Sequence, residues 1–470
     1  MSAAAAPTLV RGAWALSMAP GAEPIRDGAV LFGAGGAIEA VGTFADLSRR
    51  APGASVVGDG NGVVMPGMVN AHTHLTECLI PGMGEDAVLF EWFERVVNPV
   101  GKVIDRDEVA LGTRLKAVEM LRSGITTVND MSCHRNMGSL ATLGAVDGLA
   151  WAGMRGVVSF GAEDAYEGAP GPDAFMAEHE ALAERTAGEA LIGFRCGVGT
   201  VLGLSDPLFA RTVAACREHG WAVHTHLSEV REELTEARLR FGATTIGHSG
   251  REGLLDAEII AAHCIWCTER DIGLLARHDV AVAHNPVANM LLGNGVCPVP
   301  RLRREGITIA LGTDGAASND NQDMFGVIKT AGLLHKVNNM DPTVLTARDV
   351  LAMATIDGAR ALGIDDLVGS LEPGKRADVV LLDGDTPELA TIHDPWQQVV
   401  YCATARCVSD VWVDGRRRVA GGEVDGVDVA ALAREARAAG ADLVRRAGMA
   451  DESVYAGDGR ALASAAGEAG

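Results

Sequence analysis

Apolar and polar positions change rhythm twice along this chain. Residues 10–17, 27–32, 38–41 and 56–59 form short apolar-rich runs broken by Gly, Pro and Asp, which reads as strands joined by turns. Residues 377–382 and 408–413 repeat that style, and Asp414-Gly415 predicts a tight turn before another strand over 416–419. Between about 63 and 363 the pattern alternates. Apolar runs (GVVMPGMVNAHTH, GITTVND, MRGVVSF, ALIGFRCGVG, WAVHTHL, EIIAAHC, DVAVAHN, ITIALGTD) are separated by helix-like stretches such as 108–123, 206–219 and 268–278. About eight strands with intervening helices predict an α/β fold, a (β/α)8 TIM-type barrel. The expected organisation is a small β-sandwich domain built from 1–63 and 367–426, the barrel over 64–366, and a C-terminal helix and mobile tail over 427–470. In such a barrel the chemistry sits at the C-terminal ends of the strands, which is where the polar residues of these runs fall.

Composition narrows the classes. The 470 residues carry a net charge of −22, and 48% are hydrophobic. So acidic a surface repels phosphate backbones and anionic lipid, so neither nucleic acid nor membrane is an expected partner. No apolar run approaches the roughly 20 residues that cross a bilayer, and the first residues lack a basic segment followed by a long apolar one. Nine scattered cysteines suit a reducing compartment better than a disulfide framework. The expectation is a cytoplasmic protein.

Four stretches carry chemistry. In His72-Thr73-His74, alternate residues share one face of a strand and can hold one metal from one side. In His224-Thr225-His226-Leu227-Ser228-Glu229, His226 lies nearer the strand end and is the better ligand, while His224 reads as a core or supporting residue. Glu229 is placed to act as a general base, although alone it would read as part of the solvated charged run 229–236. His263 ends the run EIIAAHC, as a core histidine or as a group orienting water or substrate. Asp314 ends ITIALGTD, as a turn aspartate or as a ligand that closes the site and receives a proton. Three imidazoles and a carboxylate suit one borderline divalent cation, Zn²⁺ first and Fe²⁺ second.

With these residues stand VMPGMVNAHTHL, HTHLSE, AAHC, AHNPVANMLLGNGVCPV, LGTDGAASND and LEPGKRADVVLLD. Together they resemble the amidohydrolase superfamily, in its deaminase and chlorohydrolase branch, over nearly the whole length. The resemblance implies His72, His74, His226 and Asp314 as metal ligands, Glu229 as proton shuttle, and His263 as hydrogen-bonding to water or substrate. It also implies a homo-oligomer. Binuclear members carry a lysine at the end of the fourth strand. The stretch Gly193-Phe194-Arg195-Cys196-Gly197 offers none, which predicts a single metal. The expected reaction is hydrolytic deamination of a small amino-substituted heterocycle of purine, pterin, pyrimidine or triazine type. A triazine-type chlorohydrolase or N-dealkylating enzyme is the alternative, and a catalytically silent binding barrel the second.

S-adenosylhomocysteine and adenosine-type deaminases match these motifs best, but this chain departs from their substrate shell. Gly101 stands where they carry a ribose-binding glutamate. Gly197 to Leu202 replaces their histidine-bearing loop after the fourth strand, and no carboxylate-gripping arginine lies in 157–172. These departures favour a smaller heterocycle. Trp92, Met83, Glu85, Trp266, His284 and Asn289 are the candidate substrate contacts.

Overall fold

The computed structural model describes residues 6–84 and 86–449. Eight parallel strands carry the site: Met68–Thr73, Ile125–Ser132, Arg155–Phe160, a fourth broken into Ile192–Phe194 and Cys196–Thr200, Val223–Leu227, Ile259–His263, Ala281–His284 and Ile309–Leu311. The first half of the broken strand pairs with the third strand and the second half with the fifth, so the break joins a four-stranded and a five-stranded parallel sheet. At the other junction Asp314 N donates to His72 O (3.0 Å), bringing the end of the last strand onto the first. Every residue of the first, second, third, fifth, sixth, seventh and eighth strands is buried. That is why they read as continuous apolar runs rather than alternating ones.

The intervening helices start where their capping residues dictate. Asp105 and Glu108 form a capping box on Arg106–Arg122, Ser205 caps Asp206–His219, and Thr268 with Asp271 boxes Glu269–Arg277. The C-terminal helix spans Val429–Arg446 behind the cap Asp428. The mobile tail expected beyond it lies outside the described residues from 450 onward. Among the described residues no helix is long and apolar enough to cross a membrane.

The sandwich interleaves both ends of the chain. Thr8–Arg11 pairs with Gly28–Phe32 and Ser55–Val57 in one sheet, and Val63–Pro66 pairs antiparallel with Val379–Leu382 in the other. The run 10–17, expected as one strand, is instead divided between the sheets as Thr8–Arg11 and Trp14–Ala15. The chain turns at Gly12, where a Cβ would meet Gly62 O at 2.7 Å. Phe32 and Trp412 meet edge-on across the core, 6.0 Å between ring centres. A single residue, Gly67, separates Val63–Pro66 from the first barrel strand, and a Cβ there would overlap the Thr126 side chain. Beside this joint the buried Arg155 grips Asp378 through Nε (3.2 Å) and a terminal nitrogen (3.1 Å), tying barrel to sandwich.

Candidate metal centre and active site

His72 and His74 occupy alternate positions at the end of the first barrel strand, so their rings leave it toward the same space. His226 arrives from the fifth strand and Asp314 from just beyond the eighth. Each ring is oriented through its Nδ1. His74 Nδ1–H donates to Met131 O and His226 Nδ1–H to Gly199 O, both at 2.7 Å, while His72 Nδ1 meets His224 Nε2 at 2.8 Å. A carbonyl only accepts, so each Nδ1 carries a hydrogen and each Nε2 is the atom that faces the site. Burial opposes charge on His74, but Asp314, Cys133 and Glu77 raise it well above its ordinary value. The two Nε2 atoms lie 3.3 Å apart.

Two further observations concern the same point. His72 Nε2 is buried without a hydrogen-bond partner. It and His74 Nε2 each lie 3.4 Å from Asp314 Oδ1. Ligand atoms of His72, His74 and Asp314, and of His72, His226 and His263, lie within 4.8 Å of one another. Two converging imidazole Nε2 atoms, an orphaned imidazole nitrogen and a carboxylate are a donor set that fits a divalent cation, and the mixture of nitrogen and oxygen suits zinc. The fourth strand, Cys196–Thr200, supplies no lysine for a second ion. Burial opposes charge on Asp314, yet the His72 and His74 rings hold its carboxyl well below the ordinary range. Burial pulls His72 down to about 4 and His226 well below its ordinary value, leaving both rings as neutral donors.

Around this point stand the groups able to move protons. Glu229 follows the fifth strand, and Asn294 Nδ2 donates to its Oε1 (2.8 Å). Glu229 Oε2 lies 3.6 Å from His263 Nε2, which is itself 3.7 Å from Asp314 Oδ2. Burial pushes the Glu229 carboxyl up to about 7; His263 opposes the shift, and Asp314 and Glu233 add to it. Glu233 accepts the backbone N–H groups of Ser228 and Glu229 at 2.8 and 2.7 Å, so the segment carrying Glu229 is held from behind. Ser228, His263 and Asp314 have positive φ, 52°, 70° and 67°. Such backbone is unfavourable for these residues and is retained where the surroundings impose it. Here it turns each strand end so that its polar group points inward.

A cavity of about 330 Å³ opens over these groups, lined by His74, His226, Glu229, His263 and Asp314 together with Trp92, Glu77, Arg135, Glu163 and Tyr166. Of the expected substrate contacts, Trp92 lines it, its Nε1 donating to Ala317 O (3.0 Å). Three others stand behind the wall instead. Asn289 Oδ1 accepts from His263 Nδ1 (2.8 Å), Trp266 Nε1 donates to Asn294 O (2.8 Å), and His284 is fully buried against His335 (3.1 Å). Their polar atoms are consumed in orienting the site or the core. Met83 packs on the core, and Glu85 lies outside the described residues.

Sequence reasoning passed over Asn294 and Glu233, which position Glu229. It also passed over Gln322, which with Asn70 fastens Thr313 ahead of Asp314. Asn294 lies inside the quoted stretch NMLLGNG, but nothing in its spacing announces a partner 65 residues earlier. Gly101 has its open side against the backbone of His134 and Arg135.

Comparison with known proteins identifies the family. Residues 63–418 match the model of the Amidohydrolase family. A 5'-deoxyadenosine deaminase from Methanothermobacter thermautotrophicus is 38% identical over 405 residues, 85% of this chain and 92% of that protein. A 5-methylthioadenosine/S-adenosylhomocysteine deaminase from Syntrophomonas wolfei is 36% identical, covering 80% of this chain and 86% of its own. Among solved structures, an adenosine deaminase from Xanthomonas campestris with bound zinc superposes with a TM-score of 0.87 at 32% identity, covering 94% of this chain and 99% of that one. The zinc complex of an atrazine chlorohydrolase from Arthrobacter aurescens shares the fold, with a TM-score of 0.85 at 24% identity over 92% of this chain and 100% of that one. With strands, cage and family model all in agreement, the chain belongs to the amidohydrolase family.

Proposed function

We propose that this protein hydrolytically deaminates an adenosine-type purine, exchanging the exocyclic amine for oxygen and releasing ammonia. The observation that carries the reading is the row Glu229, His263, Asp314, each within 3.7 Å of the next, beside the histidine cage. The curated relatives named as deaminases of adenosine derivatives support the substrate class.

His72, His74, His226 and Asp314 would hold the cation. Bound there, it supplies Lewis acidity that brings the ionisation of a water toward neutral pH. Glu229, with one oxygen fixed by Asn294, uses the other to take a proton from the attacking water and pass it to the ring nitrogen next to the amine. The adjoining carbon becomes electrophilic, and the water oxygen bonds to it. His263, held by Asn289, steadies the charge that develops on that oxygen. Asp314 Oδ2 carries the remaining water proton to the amine, the carbon–nitrogen bond breaks, and ammonia leaves. The product keeps a ring N–H beside a carbonyl, so both protons of the water are accounted for. A carboxyl at about 7 is matched to this double duty, since it both accepts and returns a proton near neutral pH.

The setting favours a reducing compartment, because all nine cysteines are free. The test is release of ammonia from adenosine, 5'-deoxyadenosine, adenine and amino- and chlorotriazines by the zinc-loaded protein. Ammonia from the adenine compounds supports the proposal. Chloride or alkylamine from triazines, without ammonia from adenine compounds, overturns it.

A further inference from the structure

The barrel order divides the cavity wall in two. Glu229, His263 and Asp314 come from the ends of the fifth, sixth and eighth strands. Arg135, Glu163 and Thr200 come from the ends of the second, third and fourth, and nothing in the proposed reaction uses them. Glu163 sits in a built position. A Cβ on Gly199 would meet its Cγ at 2.6 Å, and a Cβ on Gly203 would meet its Cδ and Oε1 at 2.5 Å, so two glycines leave the space its side chain fills. Thr200 Oγ1 donates to Glu163 Oε1 (2.9 Å). The loops on either side are fastened together. Asp164 N and Ala165 N donate to Gly203 O, and Asp164 accepts from Ser205 N and Oγ, both at 2.6 Å. Gly199 O is also the acceptor that orients His226, so this carboxylate stands one backbone unit from the cage.

Its charge is left open to a ligand. No Lys, Arg or His among the described residues forms a salt bridge with Glu163. Arg135 lies close enough to act on it electrostatically, but rests its guanidinium over the Tyr166 ring, 4.4 Å away, and makes no side-chain hydrogen bond. The cavity thus offers a carboxyl group, raised by burial with Thr200 and Arg135 opposing the shift, next to free guanidinium donors. A planar purine with its amine edge toward the fifth to eighth strands turns its opposite edge, and the sugar attached there, toward Glu163 and Arg135. Two adjacent hydroxyl groups are the neutral donor pair that one carboxylate accepts together. Gly101 contributes no side chain for that purpose.

We infer that Glu163 is the specificity-determining residue for the ribose of an adenosine-type substrate, accepting hydrogen bonds from its 2'- and 3'-hydroxyls. This rests on the deaminase reading proposed above. Ammonia release is measured with adenosine, 2'-deoxyadenosine and 3'-deoxyadenosine, for the zinc-loaded wild type and for Glu163→Gln, Glu163→Ala and Gly203→Ala, each checked for zinc content and thermal melting. The wild type should lose about 10–100-fold in kcat/KM when either hydroxyl is removed, the range of a hydrogen bond to a charged group. In Glu163→Ala the ratio between adenosine and the deoxynucleosides should collapse toward one. Glu163→Gln, which accepts through one oxygen only, should keep part of it. Gly203→Ala, whose methyl displaces the carboxylate, should lower the ratio while Glu163 is still present. A wild type that deaminates all three equally, or a Glu163→Ala that folds, binds zinc and discriminates as before, overturns the inference and leaves the deaminase reading standing. No ammonia from any adenine nucleoside overturns both.

Discussion

His74 and His226 bring their Nε2 atoms within 3.3 Å of each other, with their Nδ1–H groups committed to Met131 and Gly199 carbonyls. A cation held by these two rings with His72 and Asp314 would tie three strand ends together. Chelation should therefore abolish turnover and lower the melting temperature, and zinc should restore both. At a thousandfold excess of zinc over its dissociation constant the linkage is worth about 4 kcal/mol. His226→Ala should bind less than half the wild-type zinc by elemental analysis. A variant with full zinc content contradicts the cage as drawn.

Glu229→Gln keeps the shape of the side chain and its contact with Asn294 while removing the ability to take a proton. It should retain wild-type zinc and melting behaviour but lose about 10²–10⁴ in kcat, the usual contribution of a positioned acid–base group. Steady-state rates with ammonia detection check this. Near-native turnover would remove Glu229 from the role of shuttle.

Burial lifts Glu229 to about 7, and the first proton transfer needs its ionised form. For the zinc-loaded protein kcat/KM should rise with pH as Glu229 ionises and then level off, at a lower pH than the metal-free value because the cation favours the ionised carboxyl. For the metal-free protein the stability effect has the opposite sense. Glu229 and Glu77 both move from an ordinary 4.5 up to about 7, so the fold binds their protons more tightly than the unfolded chain does. Their contribution is fully present below 4.5 and is lost as pH rises through about 7. Melting temperatures of the metal-free protein between pH 5 and pH 8, compared with those of Glu77→Gln, read this directly: the variant should lose part of the decline.

Asn294 touches Glu229 and not the cavity centre. Asn294→Ala should reduce kcat by about 10-fold, the lower end for a hydrogen bond to a charged group, and leave KM and zinc content unchanged. It should also shift the pH at which kcat/KM levels off, because the donor favours the ionised carboxyl. A rise in KM with constant kcat would mean that Asn294 holds substrate instead.

Legibility in the sequence followed chain locality. Runs such as VHTHL and IIAAH announced strands with polar ends because a buried parallel strand is apolar until it stops, and helices formed at Asp206–His219 and Glu269–Arg277, close to the helix-like stretches 206–219 and 268–278. The metal-binding pattern is local as well, because a His-x-His pair encodes its own geometry. Asn294 was hidden and Asn289 was expected at the substrate rather than behind His263, since their partners Glu229 and His263 are 65 and 26 residues away and only folding brings them together. Glu163 was hidden for a subtler reason. Its place is made by absent side chains at Gly199 and Gly203, and a glycine in a loop reads first as a turn.

Gly67 alone separates a sandwich strand from the strand that bears His72 and His74, and Thr126 fills the room any larger residue would need. The accessory module and the reaction centre are therefore two ends of one beam. A shortened enzyme trimmed to its barrel would lose the anchor that fixes the first two metal-facing imidazoles, so engineering for a smaller catalyst must begin by replacing the hold of Val379–Leu382 on Val63–Pro66.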